Sequence, residues 1–439
     1  MNKGRLAATI ALLTALAACG GGGGGKPGGA PATVGADPAK VSGDITVLTH
    51  RTDLQADGTL KKYAEEFNRT YPNVHVTFQA ITAYEQEVKI RMNTENYGDV
   101  LMIPSVSYVS KADYPRFFAP LGSTADLAKK YRFTDYGDVN GTVYGVAING
   151  NANGFVYNKA VWRQAGITDY PTTPQAFLAA LQAIKDKTSS IPYYTNYHDG
   201  WPVGAWTSAI GSPSCDTKAS DNMASDREPW APGKDLNVID TLLYDIVHRK
   251  LTEEDPTTTN WEGSKGLIAN GKIATMWLGS WAISQMQDAA RKAGRNPDDI
   301  GFMPFPVQSG GHFCSVVGPD FLAGINIHSK HREAARAWLD WFTDKSTYAQ
   351  TQGDVPTLKD APLPATLQPY QQAGVQFVEL AQEKTTTVNK IDNAAEIGLT
   401  KPDYRQHLVD AARAGSPGLD QIFADLNRKW SEAVQEAGS

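Results

Sequence analysis

Between Ile45 and Phe78 the chain carries a pattern that few folds accommodate. Ile45-Thr46-Val47-Leu48 alternates apolar and polar side chains, the period of a half-buried strand. Thr59 can cap a helix in which Leu60, Tyr63 and Phe67 share one face. Pro72 ends that helix, and Val74, Val76 and Phe78 then fall on one face of a second strand. Strand, helix and strand in this order form the crossover unit of a parallel sheet. The alternation persists downstream. Thr173 caps and Pro174 opens a helix with Phe177, Leu178, Leu181 and Ile184 inward. A further helix after Ser329 turns Ala334, Ala335, Trp338, Leu339 and Phe342 to its buried side. The expected fold class is α/β.

The chain has 439 residues, more than one hydrophobic core supports, so two domains are expected. Lys and Arg number 41 against 47 Asp and Glu, and the net charge of −6 supplies no basic stripe for nucleic acid. At the start, Lys3 and Arg5 precede an apolar stretch, Leu6 to Ala17, too short to span a bilayer; this reads as an export signal over residues 1–18. Leu16-Ala17-Ala18-Cys19 resembles the bacterial lipobox, which implies cleavage before Cys19 and acylation of its thiol. Residues 19–42 open with Gly20 to Gly25, followed by Lys26-Pro27-Gly28-Gly29-Ala30-Pro31. Such sequence buries no apolar surface and forms a solvated tether. After Cys19 no apolar run is long enough to cross a membrane. Cys215 and Cys314 remain, either as one disulfide of an oxidising compartment or as two separate buried thiols.

Motifs of catalysis and metal binding are missing. The eight histidines show no ligand spacing and no His-Glu-x-x-His. Gly233-Lys234 and Gly271-Lys272 are followed by Asp235 and Ile273, so neither is a phosphate loop. Asp53-x-Gln55-x-Asp57-Gly58 begins like a calcium loop, but its twelfth position holds Ala64 rather than a bidentate glutamate. Asp53 is therefore read as a loop residue at the carboxyl edge of the first strand, where open α/β sheets bind ligands. Two carboxylates at a set separation, the minimum for glycoside hydrolysis, leave no signature of their own. Aromatic residues are concentrated: six of ten tryptophans (Trp201, Trp206, Trp230, Trp261, Trp277, Trp281) lie between 201 and 281, directly after Tyr193, Tyr194 and Tyr197, with Asn196, His198 and Asp199 interleaved among these aromatics. Each one alone suits a core, whereas the cluster suits a surface that stacks on sugar C–H faces.

Several segments, taken in order, resemble the extracellular solute-binding proteins that serve sugar importers, the maltose-binding type. They are Asp99-Val100; Gly141-Thr142-Val143-Tyr144-Gly145-Val146 leading to Val156-Tyr157-Asn158-Lys159; and Ala165-Gly166-Ile167 followed by Pro171-Thr172-Thr173. Gly271-Lys272-Ile273-Ala274-Thr275-Met276, Gly279-Ser280-Trp281 and Leu322-Ala323-Gly324-Ile325-Asn326 complete the set. The resemblance covers nearly the whole chain after the tether. It implies two discontinuous lobes, residues 43–150 with 324–370 and residues 151–323 with 371–439, holding a carbohydrate in the cleft between them. It further implies an extracytoplasmic, lipid-anchored monomer without cofactor or metal that hands its ligand to the membrane subunits of an ABC importer. Carried over position by position, Trp281 stacks on a sugar ring, and Asn151 supplies a polar contact near the first hinge. Asp53 and Ser105 stand in the cleft-facing loops of the first lobe. Trp201 and Trp206 line the opposite wall, and Asp320 precedes the late hinge strand. The same fold could instead serve a polyamine, peptide or other small polar solute, or an exported glycoside-active enzyme.

Overall fold

The computed structural model describes residues 31–105 and 108–437. The alternation read from the sequence becomes two main sheets. The strands that matter for the site are β1 (Ser42–Thr49), β2 (Asn73–Ala80), β3 (Val100–Met102), β4 (Val146–Ala147), β5 (Gly150–Asn158), β6 (Thr275–Gly279), β7 (Ile300–Met303), β8 (His312–Pro319), β9 (Leu322–Ile325) and β10 (Gln376–Glu379). In the first sheet β1 lies between β2 and β3 and is parallel to both. β9 then pairs antiparallel with β3 and with β4. In the second sheet β5 is central, antiparallel to β6, β7 and β8, while β10 adds parallel to β8. The architecture is a two-lobed α/β fold with one main sheet in each lobe and a small three-stranded sheet formed by Gly122–Ser123, Thr142–Val143 and Asp138–Val139.

Local chemistry explains most elements. The helix Thr59–Asn68 buries Leu60, Tyr63 and Phe67, as its period predicts. Thr59 does not cap it: Gly58, at φ +81°, takes the cap position, and the Asp57 carboxylate accepts from the Thr59 N–H at 2.9 Å. A left-handed cap favours glycine, which leaves Thr59 as the first helical residue. At Pro174–Lys187 the expected cap forms, with the Thr173 hydroxyl accepting from the Ala176 N–H at 3.1 Å. The helix Arg332–Asp344 buries Ala334, Ala335, Ala337, Trp338 and Leu339 against the first sheet, with Phe342 half-buried beside them. No helix among the described residues is long and apolar enough to cross a membrane.

The second lobe holds a buried ion pair. Asp240 and Arg405 are both fully buried and meet at 3.0 Å. The Trp230 indole N–H and the Tyr404 hydroxyl donate to the other carboxylate oxygen. In the same lobe Cys215 and Cys314 are disulfide-bonded across a sequence separation of 99. Removing one member of a buried pair strands the other charge without solvent. Asp240→Ala should therefore cost about 3–5 kcal/mol of unfolding free energy in a urea titration, whereas Asp245→Ala, on a half-exposed partner of Arg249, should cost under about 1 kcal/mol.

Candidate functional site

The chain passes between lobes where β4 gives way to β5 and where β8 gives way to β9. The two passages are hydrogen-bonded to each other: the Ile148 N–H donates to Phe321 at 3.1 Å, and the Asp320 N–H donates to Asn149 at 3.1 Å. A third segment, Asp354–Val355, lies against the first passage through reciprocal bonds between Gly150 and Val355 at 2.8 and 2.7 Å. Ala323 faces Met102 in the register, so β9 begins at the edge where β1, β2 and β3 end. The carboxyl edge of the first sheet therefore faces the hinge.

On that edge stands the loop after β1. The Arg51 guanidinium forks onto Asp53, at 2.9 and 2.7 Å, and also donates to the Tyr348 hydroxyl at 2.8 Å and to Gln352 at 2.7 Å. The Arg51 hydrogen bond holds the Asp53 carboxyl below its usual range. Asp53 is not an open loop residue as expected: it lies in the first turn of the short helix Thr52–Ala56 that follows β1, and it already has a partner. His50 packs on Phe321 of the second passage with ring centroids 4.7 Å apart, and meets Tyr84 edge-on at 6.2 Å. Burial and the neighbouring Arg51 push its imidazole down to about 4, so it is neutral at physiological pH. Ser105 is exposed; its N–H donates to Glu85 at 2.7 Å.

In the second lobe β6 ends at Gly279 opposite Asn153, at the hinge end of β5. The Ser280 N–H donates to the Ala152 carbonyl at 2.8 Å, and the Ser280 hydroxyl accepts from the Ala152 N–H at 3.1 Å. These bonds set Trp281 beside the hinge, as the first residue of the helix Trp281–Lys292. A Cβ on Gly279 would lie 2.5 Å from the Trp281 indole nitrogen, so the Gly-x-Trp spacing has a steric cause: the ring rests on bare backbone. Trp201 and Trp261 complete a trio with centroid distances of 5.0, 5.9 and 5.6 Å. The Asp199 carboxylate accepts from the Trp261 N–H at 2.7 Å, and the Asn260 side chain caps that helix. Trp201 is 39 % exposed, one of the few large apolar side chains left open.

Among the residues singled out from sequence, Trp281 and Trp201 are brought together, and Asn151 and Asp320 stand at the passages. Asp320 is open to solvent yet crowded by protein, and burial raises its carboxyl pKa against the pull of Arg51. Asn151 has a buried amide oxygen without a protein partner. Trp206 does not belong to the site. It is 0 % exposed, donates to the Tyr193 hydroxyl at 2.9 Å, and packs with Phe155, Trp277 and Phe305 in the second core. Trp230 and Trp277 share that fate. Cys19 lies outside the described residues. Sequence reasoning missed Arg51, His50, Phe321, Asn149 and Asp354. Their placement comes from long-range pairing, which leaves no local signal in the sequence. Among the described residues no group of three His, Cys, Asp or Glu side chains forms a metal site.

An aromatic trio on one lobe, polar groups at the passages and a hinge-facing sheet edge on the other match the plan of a two-lobed solute-binding protein. The chain belongs to the bacterial extracellular solute-binding protein family, whose profile matches residues 51–349. It is 25 % identical over 312 residues to a multiple sugar-binding protein of Streptococcus mutans serotype c, covering 68 % of this chain and 71 % of that one. Its structure is similar to that of a manno-oligosaccharide-specific solute-binding protein from Bifidobacterium animalis subsp. lactis in complex with mannotriose. The TM-score is 0.80 and the identity 33 %, over 92 % of this chain and 97 % of the other. A second binding protein of an ABC transporter from the same organism, in complex with mannobiose, matches with a TM-score of 0.79, 33 % identity and the same coverage.

The contrast between Trp206 and Trp281 can be measured. Trp206→Ala should cost about 3–5 kcal/mol in chemical denaturation, the range for a truncated buried aromatic. Trp281→Ala, with its ring half-buried at the surface, should cost less than half as much.

Proposed function

We propose that this protein captures an oligosaccharide, of the manno-oligosaccharide class, outside the cytoplasm and delivers it to the membrane subunits of an ABC importer. The observation that carries the reading is the Trp201–Trp261–Trp281 trio beside the hinge. Sugar rings present C–H faces that lie on indoles, while their hydroxyls require polar partners at the rim. Asp320, Asn151, Asp53 and Ser105 are the assigned polar partners, with Trp281, Trp201 and Trp261 the apolar wall. The ligands named for the two Bifidobacterium relatives support the mannose class. The protein acts without catalysis, cofactor or metal, as a monomer.

The mechanism is hinge closure. Lobe one is residues 43–150 with 324–370, and lobe two is residues 151–323 with 371–439, save that Leu322 and Ala323 pair in the first sheet and Gly150 opens β5 of the second. A ligand that touches both walls favours the closed arrangement by the contacts it makes only there. Each buried hydroxyl left without a partner costs roughly 1–3 kcal/mol, which gives selectivity among epimers. An acylated Cys19 holds the protein at the membrane, and the glycine-rich stretch after it spans the gap to the importer; the tether is shorter than the expected residues 19–42, because Ala32 and Val41 are buried and the Ala32 N–H donates to Pro120 at 3.1 Å.

Tryptophan fluorescence of the protein should shift saturably with mannobiose or mannotriose and respond less to gluco- or galacto-oligosaccharides. Gly279→Ala displaces the Trp281 ring and should weaken binding by about tenfold, which corresponds to ~1.4 kcal/mol, with unfolding stability retained. Absence of a saturable response to every saccharide tested would overturn the reading.

A further inference from the structure

Beside the hinge passages is a hydrogen-bonded pair whose accounts do not balance if both members keep their usual charge. The Asn149 amide N–H donates to one oxygen of Asp354 at 2.6 Å. Asn149 is 2 % and Asp354 4 % exposed. The remaining side-chain polar atom of each, the Asn149 amide oxygen Oδ1 and the second carboxyl oxygen Oδ1 of Asp354, is buried without a partner. A buried ionised carboxylate beside a buried unsatisfied carbonyl is costly on both counts. A carboxylic acid and a primary amide, by contrast, can close a ring in which each donates one hydrogen bond and accepts one.

We propose that Asp354 is a proton-holding latch of the hinge: its carboxyl is protonated and donates to Asn149 while accepting from it, tying Asp354–Val355 to the first passage. The groups that face it agree. Asp320, on the second passage, raises the Asp354 pKa by its negative charge, and Arg51 opposes that from the loop after β1. Tyr348 lies close enough to interact with both carboxylates and stays neutral, its own pKa raised by burial. Arg51 is already committed to Asp53, Tyr348 and Gln352, so it forms no ion pair with Asp354. Burial first, and Asp320 second, push the Asp354 carboxyl up to about 8. Asp354 acts on the hinge as a positioning residue and requires no property of the ligand.

The pH dependence has a definite sign. The folded carboxyl keeps its proton to about pH 8, whereas the unfolded one releases it near 3.8. Between those values folding takes up a proton, so stability falls as pH rises through the interval and levels off above it. An asparagine at this position can make both ring bonds and has no proton to lose.

The test uses the ligand-free full chain, so its outcome is independent of whether sugars bind. With carboxyl-13C aspartate, NMR titration should show one aspartate with a midpoint near pH 8, missing in Asp354→Asn and moved to lower pH in Asp320→Asn. The stability of the wild type relative to Asp354→Asn should decline from about pH 4 to about pH 8 and then stay level. Asp354→Ala, which loses both ring bonds, should unfold earlier than Asp354→Asn at every pH. The proposal is overturned if no aspartate titrates above pH 6, if the high-pH signal survives in Asp354→Asn, or if Asp354→Asn and Asp354→Ala are equally destabilised. Should Asp354→Asn fail to fold, the wild-type and Asp320→Asn titrations still decide it: a midpoint near 8 that Asp320→Asn leaves unmoved counts against the latch.

Discussion

The short backbone ladder between the lobes is what the rest of the structure depends on. Ile148 bonds Phe321, Asn149 bonds Asp320, and Gly150 exchanges two bonds with Val355. These few bonds fix where each sheet ends and therefore which loops face each other. Gly150 is suited to the crowding there, because a Cβ would sit 2.4 Å from the Phe133 ring and 2.9 Å from the Gly318 carbonyl oxygen. A hinge of this kind has few bonds to bend.

From that ladder the two walls follow by different physics. The first lobe presents the carboxyl ends of parallel strands, and its polar groups are mutually engaged, as Arg51 with Asp53, Tyr348 and Gln352 shows. Such engagement pre-organises the loop, so ordering it on binding costs less. The second lobe presents aromatic surface whose rings are held by backbone chemistry: Trp281 on a bare glycine and Trp261 on an aspartate-bonded, asparagine-capped helix start. Rigid rings pay little conformational entropy on binding. The proposed opposition of a hydrogen-bonding wall and a stacking wall suits a carbohydrate, polar at its rim and apolar on its faces.

Much of this was legible in the chain. The strand–helix–strand order from Ile45 to Phe78 specified a parallel sheet because strand and helix periods differ and each buries its own face. The cap at Thr173 followed from side-chain geometry, and Gly279-Ser280-Trp281 marked the aromatic wall. The cap at Thr59 was misplaced by one residue because Gly58 tolerates a positive φ that no pattern of apolar residues reports. Trp206 was misassigned for a related reason: Trp201 and Trp206 sit in one broken stretch, and nothing local says which ring turns inward.

The sequence by itself determined the fold class and the family, since these rest on short-range periodicity and ordered motifs. Only the tertiary structure decided which tryptophans form the surface trio and which fill the core. It alone brought Asn149, Asp320 and Asp354 together, residues separated by up to 205 positions in the chain. The physical reason is the same in each case. Burial and the partner of a polar group are properties of long-range packing, and a side chain's local sequence does not contain them.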